Sequence, residues 1–589
     1  MQPVDFTTLM AICHELRQTW LPARLEQVYQ RDRYTLSLAL RTLQGRSWLT
    51  ISWHPQAARL HIGDPPPRQP DTFTFSQQLW HQLGGLALVA IDLVAPFERV
   101  LVLQFAKRPG DPILWQVYVE IMGQYSNVIL VNQAQEIVTA AYQVSDRQSR
   151  IRSIQTGDPY ELPPRPTSAV PTLEDPYDRW QDRIQLIPGP LGKTLLKTYR
   201  GLSSTLVAEL VTHADLDPTI GTDQLQTSDW ERLFQAWQTW LHTLADCTFS
   251  PHLTAQGYSV LGWNQPEVAH PGDWASLTAQ EILQRYYTDR LNEQTFRQLQ
   301  HQLQQRLANL LSKLCLKRDG FLDRLQASDR SDELRQQADL LMAHLHLGEP
   351  GMSQIELPDF ETGQPIRVSL SPEKNLVQNA QSLYKQYQKL TRARAAIDPL
   401  LANVQSEIHY LEQVDTALRQ LETYTTIADL DTLEEIREEL IQQGYLEDPT
   451  YRRESQGQDR ASEPHHYPTP AGFELLIGRN NRQNDQLTFR TAGDYDLWFH
   501  TQEIPGSHVL LRIPPGSVPD EADLQFAADL AAYYSQARQS EQVPVIYTQP
   551  KHVYKPKGAK PGTVIYKQEQ ILWGNPQRGL SWLREEKKI

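Results

Sequence analysis

At 589 residues and 67.7 kDa the chain is too long for one hydrophobic core, so several domains are expected. Its net charge of −14 and pI near 5.7 exclude a protein that coats nucleic acid indiscriminately, so any RNA contact must come from local patches. Cys13, Cys247 and Cys315 are too scattered for a disulfide framework or a thiolate metal site, and Met1-Gln2-Pro3-Val4-Asp5 lacks the basic start and apolar core of a signal peptide. No apolar run is long enough to cross a bilayer, and a cytoplasmic protein without a membrane partner is expected.

In chain order, Leu9, Ile12, Cys13 and Leu16 fall at helical spacing and predict a first helix over Phe6–Thr19. Strand-like runs follow at Tyr34–Leu43, Trp48–Trp53, Val100–Phe105 and Asn127–Val131. Pro163-Pro164-Arg165-Pro166 reads as a linker. Between about 175 and 265 the chain is helical. There Leu191-Gly192-Lys193 and Gly201-Leu202-Ser203-Ser204 each precede a helix, the second with capping chemistry, so the pair reads as a helical hairpin. Such a hairpin either packs as ordinary core or presents backbone N–H groups to phosphate.

Phe296, Leu299, Leu303, Leu307, Leu310 and Leu314, continued by Phe321 and Leu325, form a narrow apolar seam of coiled-coil type. After a break at Gly348-Glu349-Pro350-Gly351 and a short strand at Ile366–Leu370, a second long helix begins near Lys374 and carries Leu383, Tyr387, Leu390, Leu401, Ile408, Leu411, Val414 and Leu418. Two long helices around a small insert fold back most simply as an antiparallel hairpin, with an intermolecular dimer as the alternative. Leu433–Leu440 is a short helix, and the polar stretch Glu447–His466 reads as a flexible link.

The C-terminal segment holds the most informative residues. Strands are expected at Gly472–Gly478, Leu487–Phe489 and Asp496–His500, which leaves Arg479, Asn480, Asn481, Arg482, Gln483 and Asn484 in a connection. There the arginines would offer a fork for phosphate and the amides further donors and acceptors; the alternative is a turn stabilised by its own asparagines. A small-residue helix over Ala527–Ser535 and a strand at Val543–Thr548 lead into a loop carrying Lys551, Lys555, Lys557 and Lys560, and Lys567 closes it. No acidic residue falls between Val545 and Lys567, so the loop is a candidate phosphate-tracking surface with Tyr554 placed to stack, weighed against a solvated loop that aids solubility. Asp496, His500 and His508 admit a metal reading by spacing alone, but a hydrogen-bonded structural role is the more economical one. With no Walker loop, dinucleotide fingerprint, nucleophile elbow or zincin motif, neither a catalyst nor a cofactor is expected.

Gly472–His508 together with the Lys551–Gly562 loop resembles the RNA-binding (NFACT-R) domain of the NFACT family. Asn379-Ala380-Gln381 with Tyr384–Leu390, and Glu407–Glu412, are similar to pieces of the family's second coiled-coil helix, while Glu120–Gly123 and Ser126–Val131 resemble its N-terminal core. The resemblance implies an α+β multidomain chain: a mixed α/β NFACT-N domain over 1–168, a helix-hairpin-helix domain over 175–268, and an antiparallel coiled coil over 275–430 with an insert near 346–373. A short helix and linker over 431–468 and an NFACT-R domain over 469–589 complete it. It further implies a non-enzymatic ribosome quality-control adaptor. Such an adaptor would bind obstructed large subunits, through 23S rRNA and the stalk base, together with peptidyl-tRNA. It would recruit alanyl-tRNA so that the ribosome adds alanines without mRNA. The family's acidic-Arg pair for tRNA aligns with Glu98-Arg99, where aspartate is the usual acid, and Asp5 matches another acidic position. Phe6 stands where glycine is common, and Phe73–Gly85 replaces a usual stretch; these departures bear on alanine tailing more than on ribosome binding. Two other functions remain from different classes. One is a surface adhesin, against which the lack of an export signal counts. The other is a glycosylase-like DNA-binding protein, disfavoured because Gln2-Pro3 stands where those enzymes use an N-terminal amine or acid. Oligomeric state is not legible in the sequence.

Overall fold

The computed structural model describes residues 1–66, 70–145, 147–149, 152–164, 167–254, 257–263, 277–328, 330–349, 351–447 and 462–586. Arg165 and Pro166 of the expected linker, Pro350 of the expected break and most of the polar link, 448–461, lie outside them. The chain forms two compact units, Met1–Leu291 and Asn292–Ile589.

The first unit is built on a nine-stranded antiparallel sheet of β1 (Ala23–Asp32), β2 (Thr35–Arg41), β3 (Arg46–Ser52), β4 (Arg59–Gly63), β5 (Ala87–Leu93), β6 (Val100–Ala106), β7 (Trp115–Glu120), β8 (Asn127–Val131) and β9 (Ile137–Ala140). The strand order is β4-β3-β2-β1-β5-β6-β7-β8-β9. Helix α1 (Phe6–Thr19) occupies the predicted span and buries Leu9, Ile12, Cys13 and Leu16, the stripe its spacing implied. Asp5 caps it by accepting from Thr8 N at 2.8 Å. Helix α2 (Thr74–Leu83) adds Phe75, Leu79 and Leu83 to the same core.

A helical subdomain follows, with α3 (Tyr177–Gln185), α4 (Leu191–Thr198), α5 (Ser204–His213), α6 (Thr227–Asp246) and the small pair β10 (His252–Leu253) and β11 (Tyr258–Ser259). Its core is rich in tryptophan, with Trp180, Trp230, Trp237 and Trp240 fully buried, and Trp240 Nε1 donates to Thr7 Oγ1 of α1 at 3.0 Å. The first turns of α7 (Ala279–Ser328) bury Ala279, Ile282, Leu283 and Tyr287 against the unit's core.

The second unit contains the rest of α7, α8 (Ser331–Ala343), the hairpin β12 (Gln354–Pro358) with β13 (Pro365–Ser369), α9 (Leu376–Gln420) and α10 (Ile427–Gln442). The long helices are antiparallel, as the two seams implied. Phe296 of α7 meets Tyr424 just beyond α9, and Arg335 of α8 lies over Tyr387 near the start of α9. Apolar burial concentrates at the two ends. One cluster joins Phe296, Leu303 and Leu307 to Leu411, Val414 and Leu418, and another joins Leu340 and Leu341 to Leu376, Ala380 and the β12–β13 hairpin.

The C-terminal sheet runs β14-β15-β17-β16-β18-β21, using β14 (His465–Pro468), β15 (Glu474–Ile477), β16 (Leu497–Thr501), β17 (Val509–Arg512), β18 (Val543–Thr548) and β21 (Gln570–Gly574); β19 (Val553–Tyr554) and β20 (Ile565–Tyr566) pair separately. Its remaining helices are α11 (Asn481–Gln486), α12 (Glu521–Tyr533) and α13 (Pro576–Glu586). Small residues let α12 press against the sheet: a Cβ on Gly574 would lie 2.4 Å from Ala528 O. Leu487–Phe489, expected as a strand, belongs to a π-helical turn that continues α11, because Thr488 Oγ1 bonds back to Asn484 O at 2.8 Å.

The Arg479–Asn484 cluster is likewise not an open connection. Asn480 caps α11 through Gln483 N, and the side chains point at the face of α10 that carries Asp429, Glu435, Glu438 and Glu439. Arg479 pairs with Asp429 at 3.1 Å and donates to Thr432 Oγ1 at 3.3 Å. Asn480 donates to Glu435, Asn481 to Glu439 at 3.0 Å and Arg482 to Glu438 at 3.1 Å. Gln483 donates to Ser462 O, and Asn484 Oδ1 accepts from His508 N at 3.0 Å. Glu439 is 2% exposed and also accepts from Tyr410 OH, so burial raises its pKa while the hydrogen bonds oppose that rise. Four of the six residues expected to meet RNA, Arg479, Asn480, Asn481 and Arg482, therefore form a polar joint with α10, while Gln483 and Asn484 bond Ser462 and His508.

Of the residues weighed for a metal, His500 and His508 lie with ring centroids 5.3 Å apart, while the carboxylate of Asp496 is engaged elsewhere. Asp496 accepts from Gly493 N and Ile513 N and pairs with Arg512. His508, 1% exposed, sits between Thr488 Oγ1 at 2.7 Å and Asn484 O at 3.1 Å, and burial holds its pKa well below 6.5.

Two outcomes follow from this packing. Arg479→Ala leaves Asp429 buried beside an empty guanidinium site and is expected to destabilise the second unit by about 3 kcal/mol in urea unfolding; an unchanged midpoint would mean the joint carries no stability. For His508, both folded and unfolded forms are neutral above pH 6.5, so its contribution is intact there. Below pH 6.5 the unfolded chain takes a proton that the buried ring refuses, and stability falls as pH falls, by about 1.4 kcal/mol per pH unit. Urea titrations at pH 7.5 and 5.5 should show this slope reduced by about one proton in His508→Gln, and identical slopes would refute the assignment.

Candidate nucleic-acid interface

In the first unit the candidate residues converge on the turn between β5 and β6. Val94 N bonds Val100 O at 3.0 Å and closes the turn, and Phe97 sits in the left-handed region at φ 59°. That conformation turns its ring onto Phe6, 4.7 Å between centroids, and onto Trp240 at 5.9 Å. The chain at Gly201, φ +78°, approaches from the other side, where a Cβ would lie 2.7 Å from Phe97 Cβ. Glycine is therefore required at this crossing by space as well as by torsion.

With Phe97 anchored, Glu98 and Arg99 are displayed beside the start of α5. Glu98 pairs with Arg200 at 3.3 Å rather than with its sequence neighbour. Arg99 is half-buried, and among the described residues no carboxylate or hydrogen-bond acceptor engages its guanidinium. Asp5 was expected to touch tRNA directly, but it is buried with both carboxylate oxygens in use. One caps α1, and the other accepts from Ser203 Oγ at 2.7 Å, the residue that caps α5. The N-termini of two helices thus meet at one carboxylate, which fixes the β5–β6 turn against the helical subdomain. Arg200 was missed by sequence reading, although its place just before a glycine turn and a serine cap was a usable signal.

Glu209, on α5, faces the same region and accepts from Ser259 Oγ at 2.8 Å. Burial, with a smaller push from Asp5, raises its pKa to about 7.

In the second unit the lysine loop divides into anchored and displayed cations. Lys560 lies between the rings of Tyr410 and Tyr445, 4.6 Å from each, and hydrogen-bonds the Tyr445 hydroxyl; burial lowers its pKa. Lys555 pairs with Asp485, which also accepts from Gly562 N at 3.2 Å. Gly562, at φ +77°, presses so closely on Asn481 that a Cβ would lie 2.5 Å from its Oδ1. Lys555 and Lys560, both expected to contact RNA, therefore pin the loop. Lys551 and Lys557 remain exposed, and Lys567 is exposed 5.8 Å from the ring of Tyr554, itself 47% exposed. This half of the loop offers separate cations around an accessible aromatic face, the chemistry that tracks phosphates and stacks on bases.

Among the described residues no helix is long and apolar enough to cross a membrane. Residues 5–459 match the NFACT N-terminal and middle domains, and residues 463–568 match the NFACT protein RNA binding domain. The chain is 29% identical over 579 residues to the Rqc2 homolog RqcH of Bacillus subtilis (strain 168), covering 96% of each chain. Its identity to the Rqc2 homolog RqcH of Streptococcus suis (strain 05ZYH33) is 31% over 579 residues, covering 95% of this chain and 96% of that one. A solved structure of the C-terminal part of the fibronectin/fibrinogen-binding protein from Streptococcus suis shares 33% identity, covering 48% of this chain and 95% of that chain at a TM-score of 0.36. The two domain matches leave only the chain's ends and a few residues between them uncovered, and the protein belongs to the NFACT family.

Proposed function

We propose that the protein is a ribosome quality-control adaptor that binds obstructed large ribosomal subunits carrying peptidyl-tRNA. On this reading it recruits a second tRNA, alanyl-tRNA, for mRNA-independent C-terminal alanine tailing, and the ribosome supplies peptide-bond formation. One observation carries the reading. An acid-free cationic loop with Lys551, Lys557 and Lys567 exposed, the last of them beside Tyr554, lies within the part of the chain that matches an RNA-binding domain. The homologues named Rqc2 homolog RqcH, alike over nearly the whole chain, supply the ribosomal context.

In this scheme the two surfaces divide the work. The lysine loop grips 23S rRNA by phosphate contact, which gives affinity without sequence choice. The β5–β6 turn meets tRNA through Arg99, whose planar fork suits a phosphate or a base edge. Glu98 and Arg200 hold one another beside it, so Arg99 is the cation left to the ligand. The coiled coil reaches toward the stalk base.

Affinity purification of the full-length protein from cells with stalled translation, followed by sequencing of the bound RNA, tests the whole reading. Enrichment of large-subunit rRNA and alanine tRNA is expected, and recovery of neither would overturn it. Arg99→Ala should lose tRNA at least tenfold while still recovering large subunits, whereas equal tRNA recovery would remove Arg99 from the tRNA site. Replacing Lys551, Lys557 and Lys567 by Gln should flatten the dependence of log K on log salt by about 0.7–0.9 for each phosphate no longer neutralised. The same slope in wild type and variant would return the loop to a role in solubility.

A further inference from the structure

Between its two packed ends the pair of long helices has a weak level. Every residue from 308 to 326 on α7 and from 381 to 403 on α9 is exposed or half-buried, and those from 391 to 396 are all exposed. Both helices carry here a residue that helices disfavour. Gly320 lies within α7, and a Cβ there would meet nothing within 4 Å, so no close approach demands a glycine. Pro399 lies within α9, exposed, and cannot donate to the carbonyl of Ala395. The antiparallel register brings the two together. Gln300 donates to Leu421 O on one side of this level and Tyr384 donates to Asp339 on the other, which places Gly320 within about one turn of Pro399. Shortly beyond Gly320, α7 ends at Ser328 and α8 begins at Ser331.

The parts on either side are firmly held. On the far side Leu340, Leu341, Leu357, Val368 and Leu376 share one core, and Asn379, 6% exposed, accepts from Ser371 N at 2.9 Å and donates to Lys374 O at 3.0 Å. On the near side Leu303 and Leu307 pack with Leu411 and Val414, next to the polar joint at α10. We infer that the two-helix shaft is hinged at Gly320 and Pro399, so that the head made of α8, the β12–β13 hairpin and the start of α9 swings as a rigid body against the C-terminal domain. A break in one helix would be splinted by its neighbour, whereas breaks facing one another let both helices yield at one level. Few buried contacts resist the motion there, because the cores lie beyond it at both ends. What the hinge is for rests on the function proposed above. A shaft that bends keeps its two ends on separate sites of a ribosomal subunit when their spacing changes, and a stiff one has to release one of them.

The test uses the full chain with nitroxides carried by non-natural residues at Gln381 and Ser540, both exposed and on opposite sides of the hinge. Double electron–electron resonance on frozen samples reads the spread of distances between them. A swing of about 20° on an arm of roughly 27 Å, from Pro399 to Gln381, moves the far label by about 9 Å. The distribution should therefore be about twice as wide as that of a reference pair at Gln302 and Ser540, which lie on the same side. In G320A/P399A it should narrow by about half while the reference pair is unchanged. Alanine is the better helix former at both positions, so the thermal midpoint of this variant should rise. A wild-type distribution as narrow as the reference would overturn the hinge, and so would a variant as broad as wild type. A lowered midpoint would overturn it too, by showing that the two residues stabilise a straight shaft. These readouts concern the protein alone, so they stand or fall apart from the cellular role, which is tested by the RNA recovered from cells.

Discussion

The buried carboxylate of Glu439 is the point about which the second unit is organised. A carboxylate taken out of water must be met by donors, and among the described residues Asn481 of the C-terminal domain and Tyr410 of α9 supply them. Glu435, one turn before Glu439, and Asp429 repeat the demand along the same helix, and Asn480 and Arg479 answer it. Removing Arg479 takes from the buried Asp429 its cationic partner, and removing Asn481 takes a donor from the buried Glu439. The short helix α10 therefore determines where the domain sits relative to α9, and its specificity comes from matching several polar pairs at once.

The lysine loop inherits its geometry from that joint. Asn481 is at once the donor to Glu439 and the residue against which Gly562 closes, so the loop's return is set by the same side chain that sets the domain. Tyr410 likewise bonds Glu439 and forms one side of the pocket for Lys560. Two of the loop's lysines are thus committed to holding it in place, and the others are displayed without an acidic neighbour in the loop. A loop fixed in this way meets a phosphate backbone with less entropy left to lose, which favours binding by fewer cations than a free tail would need.

Local periodicity was legible and partner choice was not. The span of α1 and the strand Asn127–Val131 were both readable, because each rests on apolar residues at a spacing that only one element accommodates. The antiparallel pairing of α7 with α9 followed from two seams and a short insert. The orientation of Arg479–Asn484 did not follow. A run of donors announces that acceptors are needed, but it does not say whether they are phosphates or the glutamates of a helix some forty residues earlier. Those glutamates read as an ordinary solvated face until the fold placed them. The setting of Lys560 was hidden for the same reason, since its tyrosines come from α9 and from the bend after α10. In the first unit the partners of Asp5 and Glu98, Ser203 and Arg200, belong to a different subdomain, which no local pattern around either acid announces.

The same distinction explains how an acidic chain can present cations at all. Wherever a cation of this protein lies within reach of a well-placed carboxylate, the structure pairs them, as at Arg479, Lys555 and Arg200. Other cations stand in stretches cleared of acid along the sequence, such as Lys551, Lys557 and Lys567 in the loop and Lys385, Lys389 and Arg392 on α9. Because screening at physiological salt limits exposed charges to a range of about 8 Å, the remaining negative charge scarcely weakens such cleared segments. Net charge then governs solubility and disfavours non-specific contact with nucleic acid, whereas any phosphate contact has to come from such cleared segments.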